Sequence, residues 1–298
     1  MDEYIWLAQR FEAERPHLRA VAYRLLGRLD EADDAVQECW LRLSGSDHSR
    51  IANLGAWLVT VVARVCLDML RARHARREES LEALVPQVVT GGERVIDPEQ
   101  EMELADSVGL ALLVVLDTLA PAERLAFVLH DIFAVPFDEI APIVEREVAA
   151  TRQLASRARR RVRGRAPIQG EDLATSREAV EAFLTATRTG NFDALLAVLD
   201  PDVIFRYDAP GVPTGAPGEI HGAVAVARRF TGGARRFMGG ARATQPALVN
   251  GSVGVVVAPR GSLFGVLDLS IREGKITAIT AISDPARLRR LHLAVLDN

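Results

Sequence analysis

The sequence predicts a multidomain chain in which two small all-α units, joined by a charged tether, precede an α+β domain. Three observations predict this. Apolar residues recur with helical spacing from Phe11 to Arg77 and again from Glu101 to about Arg165. Gly164, Pro167 and Gly170 then interrupt the pattern. Beyond them the period changes, giving two helices followed by short alternating runs of strand type. With 298 residues, 49% of them hydrophobic, the chain has enough apolar material for more than one core. The expected boundaries are a first unit at 1–77, an acidic linker at 78–105, a second unit at 106–165, a short linker at 166–174 and the α+β domain at 175–298.

The formal net charge of -4 and pI near 5.9 would argue against a polyanion binder if charge were evenly spread. It is segregated instead. Arginines crowd into Arg71 to Arg77 and Arg152 to Arg165, while Glu78, Glu79, Glu82, Glu93, Asp97, Glu99, Glu101, Glu103 and Asp106 fill the tether. The two cysteines, Cys39 and Cys66, each sit in an apolar helical pattern and read as reduced core thiols; no metal site is expected. No basic-then-apolar leader opens the chain, and the longest apolar run, Val108 to Leu116, is too short to span a bilayer. A cytoplasmic location is expected, without membrane contact.

In the first unit, Ala32, Ala35, Val36, Cys39, Trp40 and Leu43 form one apolar stripe over 30–43. The other face carries Asp33, Asp34, Gln37, Glu38 and Arg42. A further helix over 56–73 buries Leu58, Val61, Val62, Val65 and Met69, shows Arg64, Asp68 and Arg71 opposite, and ends in a basic tail of Arg71, Arg73, His74, Arg76 and Arg77. Cations suit a helix C-terminus, but this tail exceeds what the helix dipole needs. Together with an exposed Trp57 beside the loop at 44–55, it offers phosphate neutralisation and base stacking.

In the second unit Pro121 marks a helix start, and Leu125, Val128, Leu129 and Ile132 extend a core stripe. A short helix formed by Phe137-Asp-Glu-Ile-Ala141 with Ile143 and Val144, a turn and a last helix over 148–163 follow. The last helix buries Leu154, Ala155, Ala158 and Val162 and presents Arg152, Gln153, Ser156, Arg157, Arg159, Arg160 and Arg163. This is helix-turn-helix spacing, in which the second helix enters the major groove. Glu145 and Arg146 occupy the turn, where a glycine would serve a left-handed residue, and Pro142 sits within the preceding helix.

In the α+β domain Thr175 and Glu178 form a capping box ahead of a helix, and Asn191 caps a second through Leu199. A strand over 203–207, a helix over 223–230 and strands at 253–258, 264–271 and 276–282 follow, the last two joined by a turn at Glu273 and Gly274. Asp208 and His221 are the candidates for acid-base chemistry. No second carboxylate or nucleophile is placed to complete it, and His221-Gly222 and Asp208-Ala-Pro-Gly211 also suit turns.

The run Asp30-Glu-Ala-Asp-Asp-Ala-Val-Gln-Glu-Cys-Trp-Leu-Arg-Leu43 resembles the sigma-factor region that grips the polymerase β′ clamp helices. Ala56-Trp-Leu-Val-Thr-Val-Val-Ala-Arg64 resembles the start of the promoter-melting region, and Ala150-Thr-Arg-Gln-Leu-Ala-Ser-Arg-Ala-Arg-Arg-Arg161 the recognition helix of sigma region four. The helix and strand order from Thr175 to Ile282 is similar to the SnoaL-like, NTF2-type cone that an extracytoplasmic function (ECF) sigma subgroup carries after region four. The resemblance spans nearly the whole chain.

It implies two all-α sigma domains followed by an NTF2-like cone, with core RNA polymerase (β and β′) and promoter DNA as partners and no cofactor. It implies that Asp33, Asp34, Gln37, Glu38 and Arg42 face polymerase. Asn53, Trp57, Arg64, Arg71 and Arg73 would engage the minus-ten element, where a base is captured out of the stack. Thr151, Arg152, Gln153, Ser156, Arg157 and Arg160 would read the minus-thirty-five element. The acidic tether would thread toward the polymerase cleft in place of RNA. The cone would regulate the sigma domains in place of an anti-sigma protein, through a tail motif that survives as Asp284, Pro285, Arg287 and Leu288. The subgroup's glycine-rich motif after the first strand and its proline-rich linker motif are absent from 208–215 and 84–89. The free chain is expected to be a monomer, with an unassigned small ligand as a candidate occupant of the cone. Two other readings stay open on the residues alone: a small-molecule enzyme or binder using the cone, and a helix-turn-helix regulator that works without polymerase.

Overall fold

The computed structural model describes residues 2–46, 51, 53–79, 109–164, 173–208, 218–232, 243–258 and 263–296. The acidic tether beyond Glu79, the linker at 165–172 and the segment just after Asp208 lie outside them. Met1–Val108 with Leu116–Arg159 forms one compact unit; Gly109–Val115 with Arg160–Asn298 forms a second.

Three helices open the first unit: α1 (Asp2–Leu26), α2 (Leu29–Ser44) and α3 (Leu54–Glu79). Their apolar stripes meet in a core that includes Phe11, Leu18, Val21, Leu25, Val36, Cys39, Leu58, Val62 and Cys66. The stripe expected on α2 is buried at Ala32, Ala35, Val36, Cys39 and Leu43, while Trp40 is half-buried and packs on Phe11 with ring centroids 5.1 Å apart. Burial pushes the Cys39 thiol up to about 12 and raises that of Cys66 as well, so both stay protonated near neutral pH.

Next come α4 (Leu110–Asp117), α5 (Pro121–Phe127), a π-helical turn (Val128–Ile132), α6 (Phe137–Val144) and α7 (Val148–Arg163). Pro121 stands at the start of α5, as its fixed φ favours. Pro142 lies inside α6 without breaking it. The α6 terminus satisfies the reading of the turn: Glu145 adopts φ 57 and ψ 46, and the Arg146 amide donates to the Ala141 carbonyl at 3.1 Å. That is a Schellman closure with glutamate where glycine is usual. A side chain in the left-handed region costs about 1–2 kcal/mol relative to glycine.

The second unit holds α8 (Leu173–Thr189), α9 (Phe192–Val198), β1 (Leu199–Tyr207), β2 (Glu219–His221), α10 (Ala223–Gly232), β3 (Thr244–Val249), β4 (Ser252–Val257), β5 (Gly265–Arg272), β6 (Lys275–Ile282), α11 (Pro285–Leu288) and β7 (Leu293–Ala294). The sheet order is β2-β1-β6-β5-β4-β3-β7, with β1 and β6 parallel and every other pair antiparallel. Period-two alternation gives it two apolar faces. Val203, Phe205, Val253, Val255, Leu267, Leu269 and Ile279 pack against Val180, Phe183 and Leu184 of α8 and Val226, Ala227 and Phe230 of α10. This sheet, with α8 and α10 packed on one face, is the α+β domain that the sequence predicts. The opposite face, Ala247, Val249, Val256, Val266 and Ile282, buries Ala111, Val114 and Val115 of α4 together with Leu293.

Several details differ from expectation. The helix α8 starts at Leu173, so Thr175 lies in its first turn and is not the cap of a capping box. Asn191 does cap α9, accepting from the Ala194 amide at 3.0 Å, and the helix ends one residue early because Leu199 already belongs to β1. The strands β2, β3 and β7 are additional. Glu273 and Gly274, both at positive φ, close the β5–β6 hairpin, and Asn250 and Gly251 do the same for β3–β4.

Candidate nucleic-acid interface

The outer face of α2 carries Asp33, Asp34 and Gln37 exposed and Glu38 half-buried, with Arg42 exposed one turn on. Asp33 takes a two-pronged ion pair from Arg19 of α1, at 2.6 and 3.0 Å, and Arg42 donates to Glu38 at 3.0 Å. Leu41, 57% exposed, adds an apolar side chain outside the buried stripe. The five residues thus share one surface, acidic with an arginine rim, as helical spacing dictates.

The candidates around α3 divide. The Asn53 side chain accepts from the Ala56 amide at 3.1 Å, so it caps α3. Trp57 is half-buried, a correction to its expected exposure, and stands one residue before the core position Leu58. Arg64 and Arg71 are exposed. Arg73 is not: with 19% of its side chain accessible, it donates to Glu31 and to the Leu26 carbonyl and lies 3.7 Å from Asp117.

On α7, Arg152, Gln153, Ser156, Arg157 and Arg160 are all exposed, a continuous polar face. The Arg152 guanidinium also sits over the Phe137 ring, 5.9 Å from its centroid, and Arg159 pairs with Asp131 at 2.7 Å. Thr151 is a correction: it is fully buried, on the stripe of Ala155 and Ala158, and its hydroxyl donates to the Glu147 carbonyl at 3.1 Å. Thr151→Val is therefore expected to leave affinity for a minus-thirty-five duplex within about twofold at fixed salt, because no contact to bases is removed. Fluorescence anisotropy measures this, and a loss comparable to that of Arg152→Ala would put Thr151 back among the base-reading residues.

In the second unit Asp284 caps α11, accepting from the Arg287 amide at 2.9 Å, with Pro285 in the first helical position. Arg287 forms an ion pair with the buried carboxylate of Asp208, and Leu288 packs on the outer sheet face. His221 is exposed and pairs with Glu219 at 3.2 Å. It stands opposite Ile204, four residues from Asp208 along the chain, or roughly 13 Å at strand rise. Asp208 and His221 are not brought together for acid-base chemistry. Among the described residues no helix is long and apolar enough to cross a membrane, and no cluster of His, Cys, Asp and Glu suits a metal.

A helix-turn-helix with a cationic exposed face, in one unit with a helix bundle that presents an acidic surface and a basic helix end, is the arrangement of a DNA-binding protein. Comparison with known proteins narrows the class. Sigma-70 region 2 matches residues 10–76 and sigma-70 region 4 matches residues 109–162. The ECF RNA polymerase sigma factor SigJ of Mycobacterium tuberculosis is 39% identical over 284 residues, 92% of this chain and 91% of its own. The probable ECF sigma factor SigI of the same species is 34% identical over 97% of both. The crystal structure of M. tuberculosis SigJ aligns at 33% identity over 94% of this chain and 98% of its own, with a TM-score of 0.45. The chain belongs to the ECF RNA polymerase sigma factors, non-enzymatic subunits that direct polymerase to promoters for initiation.

Proposed function

We propose that this sigma factor is controlled by its own C-terminal domain, in place of a separate anti-sigma protein. The sigma domains are the segments 1–77 and 106–165, and the regulatory domain spans 175–298. Asp33, Asp34, Gln37, Glu38 and Arg42 meet the polymerase β′ subunit, and the second region meets β. Asn53, Trp57, Arg64, Arg71 and Arg73 engage the minus-ten element. Arg152, Gln153, Ser156, Arg157 and Arg160 engage the minus-thirty-five element. The free protein is a cytoplasmic monomer, and a small ligand in the cone is a candidate signal.

One observation carries the regulatory reading. The first turns of α4, within the region 4 match, lie in the core of the second unit: Ala111, Val114 and Val115 pack on the outer sheet face, and Gln245 of β3 accepts from the Ala111 amide at 2.7 Å. The tail completes the cover, with β7 paired to β3 and the Val295 amide bonded to the Val162 carbonyl at 2.9 Å. A domain bound in this way to a DNA-reading region biases whichever arrangement it binds better.

Run-off transcription with core polymerase tests the proposal, using the full chain, a truncation after Pro285 and Arg287→Ala. Removing the tail or its anchor is expected to change promoter-dependent transcript several-fold, on the scale of a 1–3 kcal/mol coupling. Equal yields from all three would remove the regulatory role. Failure of the full chain to form transcript or to bind core polymerase would reject the assigned contacts as well.

A further inference from the structure

Two arginines that α3 would offer to the minus-ten element are held by carboxylates of the second sigma region, all within one compact unit. Asp117 lies 3.7 Å from Arg73 and accepts from Arg124 at 3.2 Å. Arg124 is 2% exposed and lodges beside Gly27, at the corner between α1 and α2, while Glu31 and the Leu26 carbonyl take the rest of the Arg73 guanidinium. Two residues earlier on α3, Arg71 lies 3.9 Å from Glu145 and 3.9 Å from Asp68 of its own helix. Around these charges His17 stands edge-on to Phe133 with centroids 5.5 Å apart, and the Arg24 guanidinium sits 5.2 Å from the same ring.

A carboxylate offers a guanidinium the same forked pair of anionic oxygens as a phosphate does. The two promoter elements are centred about 25 base pairs apart, roughly 85 Å along B-form DNA at 3.4 Å per step. Side chains from the two regions that touch directly cannot serve both elements at once. The position of Glu145 points the same way, since it stands in a left-handed turn that glycine would fill without strain.

We propose that Asp117 and Glu145 are stand-ins for promoter phosphates: in the free chain they occupy Arg73 and Arg71, so DNA and the second sigma region compete for the same two guanidinium groups. This rests on the reading of α3 as the promoter-melting helix.

The test uses the full chain with spin labels at Glu12→Cys and Glu139→Cys, both exposed, while the native thiols are buried. Pulsed dipolar measurements are expected to give one narrow distance in the parent. Asp117→Asn, and more so its combination with Glu145→Gly, is expected to add a longer population. Glu145→Gly, which relieves a strained turn and so keeps the fold, is expected to raise affinity for forked minus-ten DNA at least threefold. That gain should vanish in an Arg71→Ala background. Unchanged distances and unchanged affinity in both carboxylate variants overturn the proposal while leaving the promoter reading of α3 intact. If Arg71→Ala and Arg73→Ala leave affinity for the forked DNA unchanged, both the promoter reading of α3 and the competition fall, whatever the distances show.

Discussion

Arg157→Ala is expected to lower promoter-dependent run-off transcription about five- to 150-fold, and to do so only at promoters that carry the cognate minus-thirty-five sequence. Arg157 projects from the exposed face of α7 between Ser156 and the buried Ala158, so its guanidinium is free of the core and its loss leaves no cavity. One forked contact to a guanine edge is worth about 1–3 kcal/mol of discrimination, which sets the range. Arg160→Ala serves as the contrast. Nearer the C-terminal end of α7, it should weaken binding to all sequences alike and reduce the salt dependence by about one phosphate's worth. If Arg157→Ala weakens a scrambled duplex as much as the cognate one, its role is backbone neutralisation and the base-reading assignment fails.

A chain ending at Arg165 is expected to lose structure in α4. The side chains of Ala111, Val114 and Val115 are at most 3% exposed, and the sheet residues that bury them run from Ala247 to Leu293. Exposing two valines, an alanine and the partly covered Val162 forfeits on the order of 5 kcal/mol, an upper estimate because the unfolded chain is itself partly compact. Losing the Gln245 acceptor at the helix start adds about 1 kcal/mol. Against a typical domain stability of about 5–15 kcal/mol, this is enough to melt the helix. Hydrogen exchange at the amides of 113–116 is expected to become nearly unprotected in the truncated chain, while the core amides of α3 keep their protection. Equal protection of 113–116 in both chains would mean that region 4 stands without its cover. Where that protection is lost, low transcription from this truncation reports a broken region 4, which is why the shorter deletion after Pro285 is the cleaner probe of regulation.

Much of the architecture was legible because it is written in local periodicity. The α2 stripe, the Asn191 cap and the Glu273-Gly274 turn each depend on residues within a few positions of one another, and the structure reproduces them, with Trp40 half-buried; of the α7 stripe it buries Ala155 and Ala158 and leaves Leu154 and Val162 half-buried. Glu145 was legible for the same reason: a turn needing a left-handed residue was seen to lack its glycine, and φ 57 is the consequence. Two misreadings had a visible signal. Thr151 precedes Ala155 and Ala158 by one and two turns and so belongs to the buried stripe. Asn250-Gly251, ahead of a valine-rich run, announces the hairpin that adds β3. Other features had none. Whether Arg73 points to solvent or to Glu31 and Asp117, and whether Arg124 is buried, depends on partners 42 and 7 positions away. The half-burial of Trp57 had no such signal either, because its place on α3 fixes a direction but not what stands there. Ion pairs between elements carry no period, so pattern reading cannot find them.

The burial of α4 also bears on how the protein is made. The Ala111 amide and its acceptor Gln245 are 134 positions apart, and the last strand that shields this stretch, β7, ends only at Ala294. At about 5–20 residues per second, a ribosome that has just added Val115 needs roughly 10–35 s to reach that strand. Through that interval the nascent chain carries an apolar helix start with no surface to lie on, and the arginines of α7 are added well before it ends. Synthesis order therefore delivers a DNA-reading segment before the shield that completes it, and a holdase near the exit tunnel would find its site at 110–115.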